Sequence, residues 1–320
     1  MASRGDDRVY RVAGIPLAFN SKATAKTFLD ELFASNGAQS TVRSLGPHPQ
    51  KKVLVAIVGF SQTPSRLASG SIWQLEVTAH VHERNIVAHL DIDTQFLGFT
   101  PLNSPPESDD GWNQIDCIIV SGLSSHSFGS WKQRGGHFMW LVDDGDAFPS
   151  NVRALLYGYD STLFGSASFQ DIEDIGARLA AQLRGIRPKA GKSSSHDPEQ
   201  PRPLVFIAHS LGGLVVKEAI YHLAEQDATD AQCIYGLVCF GVPHFGLRVE
   251  PWLRIMGQQP NRKLIEDLRS NSRVLRKLDD RFRKGLKFDG LRVVSIFETM
   301  TSVTVQVGHP QRCKPPPIRR

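Results

Sequence analysis

The chain lacks a long apolar segment, and this absence limits how it can meet a membrane. Its longest nearly unbroken apolar run covers residues 53–60, whereas a helix that spans a bilayer needs about 20 apolar residues. The opening sequence MASRGDDRVYRVAG also has no apolar stretch of the kind that a secretory signal contains. We therefore expect a chain that neither crosses a bilayer nor enters the secretory route by itself.

Cysteine is scarce, and two motifs that would indicate a bound group are missing. The four cysteines are scattered and include no C-x-x-C pair, which argues against both a zinc site and a disulfide framework. The Gly-Lys-Ser/Thr of a phosphate-binding loop is also absent. The sequence therefore predicts no metal site and no cofactor, and it predicts reduced thiols.

The composition is that of a folded protein with room for about two domains. The chain has 320 residues, of which 41% are hydrophobic and 22% are charged. Its net charge of +5 is unevenly distributed, because residues 248–287 contain 12 Lys and Arg against 5 Asp and Glu. This excess is typical of a solvated helical face, and the alternative is a surface that attracts anionic lipid head groups.

Residues 1–82 are predicted to form a small α/β leader. The segment reads as strand, helix, two strands, helix and strand, which resembles an RNA-recognition or ferredoxin-like module. Such modules stack bases on aromatic rings of the central strands, but here those positions hold Arg11, Val55 and Ile57. We therefore expect packing or docking rather than nucleic-acid binding.

The following residues, 83–114, end in a Pro/Ser/Asp-rich stretch and are predicted to be a linker.

From Ile115 onward, apolar runs alternate with amphipathic helical segments, which is typical of a parallel sheet covered by helices on both faces. The most informative segment is 203–220. Four apolar residues precede Ala-His-Ser-Leu-Gly-Gly, and a helical pattern follows. This is the G-x-S-x-G nucleophile elbow with Ala208 in place of the first glycine. The alternative is a serine that only caps a helix.

Several segments of the chain, taken in order, resemble the α/β-hydrolase serine esterases and lipases. Within that superfamily they are most similar to fungal proteins of the serine-active-site-containing (SERAC-type) family. The matching segments are IIVSGL at 118–123, LLYGYDS at 155–161, FIAHSLGGLVVKEA at 206–219, VCFGVPHFG at 238–246 and VVSIFET at 293–299. The resemblance implies an α/β-hydrolase-like domain over residues 115–299, with a divergent basic and proline-rich tail at 300–320.

The resemblance also implies roles for individual residues. Ser210 would be the nucleophile, and the backbone N–H groups of Leu211 and Leu123 would form the oxyanion hole. Ser121 replaces a histidine of the family's oxyanion loop. Glu298 follows a late strand and fits the position of the catalytic acid, with Asp160 as a reserve candidate that is better suited to a structural turn.

The catalytic histidine is the weak point of this assignment, because a serine hydroxyl needs a neighbouring base to become a good nucleophile. Similar proteins carry that histidine in a D-H-S-x-M segment, which this chain lacks. His309 is the only histidine after Glu298. Either His309 completes the triad or the triad is incomplete in this chain, while His244 is better interpreted as a buried structural histidine.

These observations predict a serine hydrolase acting on an acyl ester or lipid, or an acyltransferase. The alternative is a catalytically impaired hydrolase domain that serves as a binding or signalling module. Relatives of this kind imply a cytoplasmic location or association with mitochondria or endoplasmic reticulum. The helices predicted at 261–285 could form a lid, and residues 248–287 could contact an anionic membrane.

Overall fold

The computed structural model describes residues 8–34, 37–81, 84–105, 115–133, 136–187, 202–226, 231–285, 290–297 and 299. The chain forms two compact units. Unit 1 comprises Met1–Ile119, Ser125–Tyr159 and Gly185–Pro188, and unit 2 comprises Val120–Ser124, Asp160–Arg184 and Lys189–Arg320. Unit 1 therefore combines the predicted leader and the predicted linker with the first part of the predicted hydrolase domain.

The first sheet is antiparallel and belongs to unit 1. Its strands are β1 (Val9–Ile15), β2 (Ser40–Pro47), β3 (Leu54–Phe60), β4 (Ile72–Val81) and β5 (Arg84–Asp93), in the order β2-β3-β1-β5-β4. Helix α1 (Lys22–Leu32) is capped by Ser21, whose side chain accepts a hydrogen bond from the Thr24 N–H. The helix buries Phe28 and Leu29 in the core of this sheet.

The leader differs from the predicted RNA-recognition arrangement in two respects. The second predicted helix is only a short 3₁₀ turn at Ser65–Leu67. In addition, β1 pairs with β5 and not with β4, because β4 and β5 form a hairpin. The Arg11 side chain binds the Asp93 carboxylate at 2.7 Å, and Val55 and Ile57 are buried, so these positions offer no open platform for bases.

The stretch 83–114, predicted to be a linker, contains two strands in its described part. Strand β5 buries Ala88, Leu90 and Ile92 on one face, while polar residues alternate with them. Because of these polar residues, the sequence analysis predicted a linker here and missed a strand with one buried face. The second strand, β6 (Gly98–Pro101), runs antiparallel to β8 (Val152–Gly158).

The second sheet is six-stranded and mixed, as expected for an α/β-hydrolase-like fold. Besides β6 and β8 it contains β7 (Ile115–Val120), β9 (Leu204–His209), β10 (Ile234–Phe240) and β11 (Arg292–Ile296). In unit 2, β9, β10 and β11 run parallel in that order. All five residues of the edge strand β11 are exposed, including Val293, Val294 and Ile296.

Helices accompany this sheet in the strand–helix alternation that the sequence predicts. They are α2 (Trp140–Asp143), α3 (Ile172–Ile186), α4 (Leu211–Gln226), α5 (Glu250–Met256), α6 (Arg262–Asp267) and α7 (Arg273–Gly285). None of the helices in the described ranges has the length and apolar character that crossing a bilayer requires. The cysteines at positions 117, 233 and 239 are buried and form no disulfide with one another.

A buried ion pair fixes the start of the second sheet within unit 1. Asp116 in β7 is almost fully buried, and its two carboxylate oxygens accept hydrogen bonds from Arg153 Nε and Nη2 at 2.8 and 3.0 Å. Arg187 adds a second cation at 3.7 Å. Removing the carboxylate would leave buried cationic groups without compensation.

We expect Asp116→Ala to lower the free energy of unfolding by about 3–5 kcal/mol, because a buried ion pair loses one partner. Urea unfolding followed by circular dichroism measures this change. The matched control is Glu266→Gln, which breaks the exposed pair with Arg262 and should change the stability by less than about 1 kcal/mol. Equal effects of the two substitutions would contradict the assignment.

Candidate active site

The candidate site is built around Ser210, at the junction between β9 and α4. Ser210 has a left-handed backbone φ of +51°, a conformation that side chains rarely adopt and that costs of order 1–3 kcal/mol. Its N–H donates to the Phe240 carbonyl of β10 at 2.9 Å, and its carbonyl accepts from the Gly213 N–H at 3.1 Å. These bonds hold a partly exposed serine at the tip of a strand–turn–helix bend.

The small residues around Ser210 are sterically required. A Cβ atom at Gly212 would lie 2.5 Å from the Ser121 carbonyl oxygen and 2.6 Å from that of Val120. A Cβ atom at Gly122 would lie 2.7 Å from Ser210 Cβ. The predicted oxyanion loop is therefore in direct contact with the predicted nucleophile, and both belong to unit 2.

The two predicted oxyanion donors lie on either side of this contact. Leu211 is the first residue of α4, so its N–H belongs to the helical turn whose amides have no carbonyl partner within the helix. The N-terminus of a helix also favours negative charge. Leu123 directly follows Gly122, and the loop then turns at Ser124, which has a φ of +51° and donates its N–H to the Ser161 carbonyl at 2.6 Å.

The other two residues of the predicted triad cannot be placed relative to Ser210. Glu298 and His309 both lie outside the described residues, so their roles stay predictions. The described strand that precedes Glu298 is informative in itself. In β11, Ile296 is in register with Phe240 of β10, which in turn is in register with His209 of β9. The ends of the three strands therefore lie side by side at one edge of the sheet.

Asp160, the reserve acid, is engaged in a local turn. Its carboxylate accepts hydrogen bonds from Ser166 Oγ at 2.8 Å and from the Thr162 N–H at 3.1 Å. Burial alone would raise the pKa of Asp160, but these hydrogen bonds outweigh burial and lower it. Such bonding suits the structural role that the sequence favours for this residue.

His244 lies in the loop after β10 and is partly buried. Burial, reinforced by the positive charge of Lys217, lowers the pKa of His244 to about 4. The ring is therefore neutral at pH 7. Within the described residues, no hydrogen bond joins the Ser210 hydroxyl to a histidine, and the structural role of His244 stays a prediction.

Of the helices predicted as a lid, α7 packs onto α4. The large apolar residues of this segment are buried: Leu264, Leu268, Leu275, Leu278 and Phe282. On the polar side of α7, Asp279 and Arg281 bind Lys217 and Glu218 of α4 at 3.2 and 3.0 Å. These partners are seven and eight residues beyond Ser210 in the chain, so α7 is anchored along α4.

Residues 149–271, which include the strained serine, match the family model described as "Putative serine esterase (DUF676)". This segment of the chain is thus similar to serine esterases. This agrees with the resemblance found in the sequence. The match does not extend to Glu298 or His309.

Two curated relatives of this chain are named Protein SERAC1. The human protein is 23% identical over 246 residues, which cover 68% of this chain and 36% of the human protein. The mouse protein is 28% identical over 211 residues, covering 58% of this chain and 30% of its own length. The chain thus spans about a third of the length of these relatives.

Solved structures similar to this chain include phospholipase PlaB from Legionella pneumophila and esterase 2 from Thermogutta terrifontis. The first has 16% identity and a TM-score of 0.34, covering 57% of this chain and 37% of the phospholipase. The second has 12% identity and a TM-score of 0.29, covering 70% of this chain and 83% of the esterase. At such TM-scores, these overlaps carry no further conclusion.

We expect Gly212→Ala to destabilise the protein by about 1–3 kcal/mol, because the added methyl group would collide with two backbone carbonyl groups. Urea unfolding measures the change. Gly145→Ala is the control, since a Cβ atom there meets nothing within 4 Å. A Gly212→Ala protein as stable as the Gly145→Ala protein would show that the close approach is not required.

His244 predicts a specific pH dependence of stability. Its pKa is about 4 in the folded protein and about 6.5 in an unfolded chain, so only the unfolded state binds the proton between these values. Stability should therefore fall as the pH decreases from about 6.5 to about 4. Urea unfolding across this range should show a smaller decrease for His244→Gln than for the wild type. The exposed His89→Gln should keep the wild-type decrease, and an unchanged decrease in His244→Gln would be evidence against this origin.

Proposed function

We propose that the chain is a serine hydrolase that cleaves carboxylic esters, with Ser210 as the nucleophile. The observation that carries this proposal is the strained backbone of Ser210 at the end of β9, with Gly122 of the neighbouring loop against its side chain. A serine with only a capping role does not need a left-handed backbone or this close loop. The match to serine esterases over residues 149–271 supports the same reaction class.

In the proposed reaction, the Ser210 oxygen attacks the acyl carbonyl carbon while a base accepts the hydroxyl proton. The carbonyl oxygen becomes negatively charged, and the N–H groups of Leu211 and Leu123 stabilise it. Collapse of this intermediate releases the alcohol, which takes up the proton from the base, and leaves an acyl group on Ser210. Water then releases the acid, or a second alcohol takes the acyl group in an acyltransferase reaction. His309, oriented by Glu298, is the predicted base.

We propose an acyl ester as the substrate class. Within that class, a lipid ester is the more specific proposal. The basic excess in residues 248–287 favours a lipid substrate, but several of these cations are paired with carboxylates. The pairs are Arg262–Glu266, Lys263–Asp267, Arg269–Glu250, Arg281–Glu218 and Arg283–Asp279. Contact with an anionic membrane therefore stays a prediction, as does the intracellular location.

The alternative function, a binding or signalling module without activity, follows from the sequence. The chain lacks the D-H-S-x-M segment that carries the catalytic histidine in similar proteins. The two functions differ in whether the Ser210 hydroxyl is activated. A reagent that reacts only with activated serines separates them.

We expect a fluorophosphonate probe to label the wild-type protein at one site and to lose that labelling in Ser210→Ala, because the reagent phosphonylates an activated serine hydroxyl. Gel fluorescence and peptide mass spectrometry measure the labelling. Ser124→Ala is a matched control, since Ser124 has the same φ of +51° but is exposed and does not join a strand to a helix. This control should remain labelled.

A folded wild-type protein that stays unlabelled under conditions that label a reference serine hydrolase would favour the inactive module. Labelling that persists in Ser210→Ala would place the nucleophile elsewhere. If the probe does label Ser210, hydrolysis of p-nitrophenyl esters of increasing chain length tests the finer proposal. Preference for long acyl chains would support a lipid-like substrate.

A further inference from the structure

Three side chains with metal-ligating atoms converge on α3 and α4, away from the candidate active site. Glu218 and His222 are one helical turn apart on α4, and Glu173 lies in the first turn of α3. One ligand atom from each residue lies within 4.8 Å of the other two. All three residues belong to unit 2.

Glu218 is the unusual member of this cluster, because its carboxylate is buried with one oxygen unsatisfied. Its side chain is only 1% exposed. Oε2 accepts a hydrogen bond from Arg281 at 3.0 Å, but Oε1 has no hydrogen-bond partner. A buried carboxylate oxygen without a partner loses its hydration without compensation.

The atom that faces this oxygen is also unsatisfied. His222 Nε2 lies 3.5 Å from Glu218 Oε1, is itself buried and makes no hydrogen bond. If the nitrogen is unprotonated, the two atoms direct lone pairs into the same space. A cation bound to both would satisfy them together.

The backbone holds this arrangement in place. Gly176 of α3 lies so close to α4 that a Cβ atom there would be 2.5 Å from Glu218 Cβ. The two helices therefore meet directly beside the cluster. Glu173 is exposed, so its side chain can adjust to a ligand, while Glu218 is fixed by its surroundings.

The local electrostatics are compatible with a cation at this position. The carboxylates of Glu173 and Asp171 place negative charge near Glu218. The opposing charges are Arg281 and Arg184. Arg281 contacts Oε2 of Glu218 and, at 3.9 Å, Oε2 of Glu173. These contacts leave Glu218 Oε1 without a hydrogen bond.

We propose that Glu173, Glu218 and His222 bind a divalent metal ion, with Zn²⁺ as the best match. Zinc accepts imidazole nitrogen and carboxylate oxygen, and three protein ligands with a water molecule complete its usual tetrahedron. A tetrahedral ion with bonds of about 2.1 Å holds its ligand atoms roughly 3.4 Å apart. The separation between Glu218 Oε1 and His222 Nε2 matches this value, and small movements of Glu173 bring in the third ligand.

The metal's role in this proposal is structural. His222 follows Ser210 by twelve positions on α4, which corresponds to about 18 Å along the helix axis. An ion there would link α3 to α4 without touching the reacting atoms. The proposal is independent of esterase activity, and its test does not require a substrate.

The test uses the full chain after treatment with a chelator and removal of the chelator. Calorimetric titration with ZnCl₂ should show one tight site in the wild type, and Co²⁺ should give the visible absorption of a tetrahedral complex. Saturating Zn²⁺ should also raise Tm, because the ion binds only the folded cluster. His222→Ala and Glu173→Gln should each weaken binding at least tenfold, and the exposed position of Glu173 makes the second variant safe for folding.

The matched control is His89→Ala, which removes a histidine that lies 3.7 Å from a single glutamate, Glu76, on an exposed strand surface. It should bind Zn²⁺ as the wild type does. A folded wild-type protein that takes up no tight Zn²⁺ would overturn the proposal. Binding that survives unchanged in both His222→Ala and Glu173→Gln would overturn it as well, by placing the ion elsewhere.

Discussion

The left-handed backbone at Ser210 is the constraint on which the arrangement of the candidate site depends. It opposes the intrinsic preference of an L-residue, so neighbouring segments must hold it. Three segments do so: β10 through the bond to Phe240, the first turn of α4 through Gly213, and the 120–124 loop through its approach to Gly212. Strand, helix and loop are brought together at this one residue. The same approach places Gly122 against the serine side chain.

Much of this bend could be predicted from sequence, because the residues that permit it are close to Ser210 in the chain. Ala208 and Gly212 are small for a steric reason that acts within a few residues of Ser210, and the apolar strand before them is continuous. The start of α1 is equally local, since Ser21 and Thr24 satisfy each other's backbone groups. Where local chemistry determines local structure, the sequence is sufficient.

The predicted linker, residues 83–114, shows where such prediction fails. Strand β5 alternates Ala88, Leu90 and Ile92 with polar residues, and a Pro/Ser-rich stretch soon follows, so the composition indicated a linker. Its place in the sheet depends on pairing with β1 and on the ion pair between Arg11 and Asp93, which are distant in sequence. The cluster around Glu218 has the same character. Only the one-turn spacing of Glu218 and His222 was visible in the sequence, whereas Glu173 and Arg281 come from other helices.

Strand β11 combines two features that proteins usually keep apart. It forms the edge of its sheet, and its apolar residues Val293, Val294 and Ile296 are all exposed. Among the described residues, this edge with its β-branched side chains offers both backbone groups and apolar surface to another extended segment. A charged side chain on β11 would therefore act as a gatekeeper against self-association.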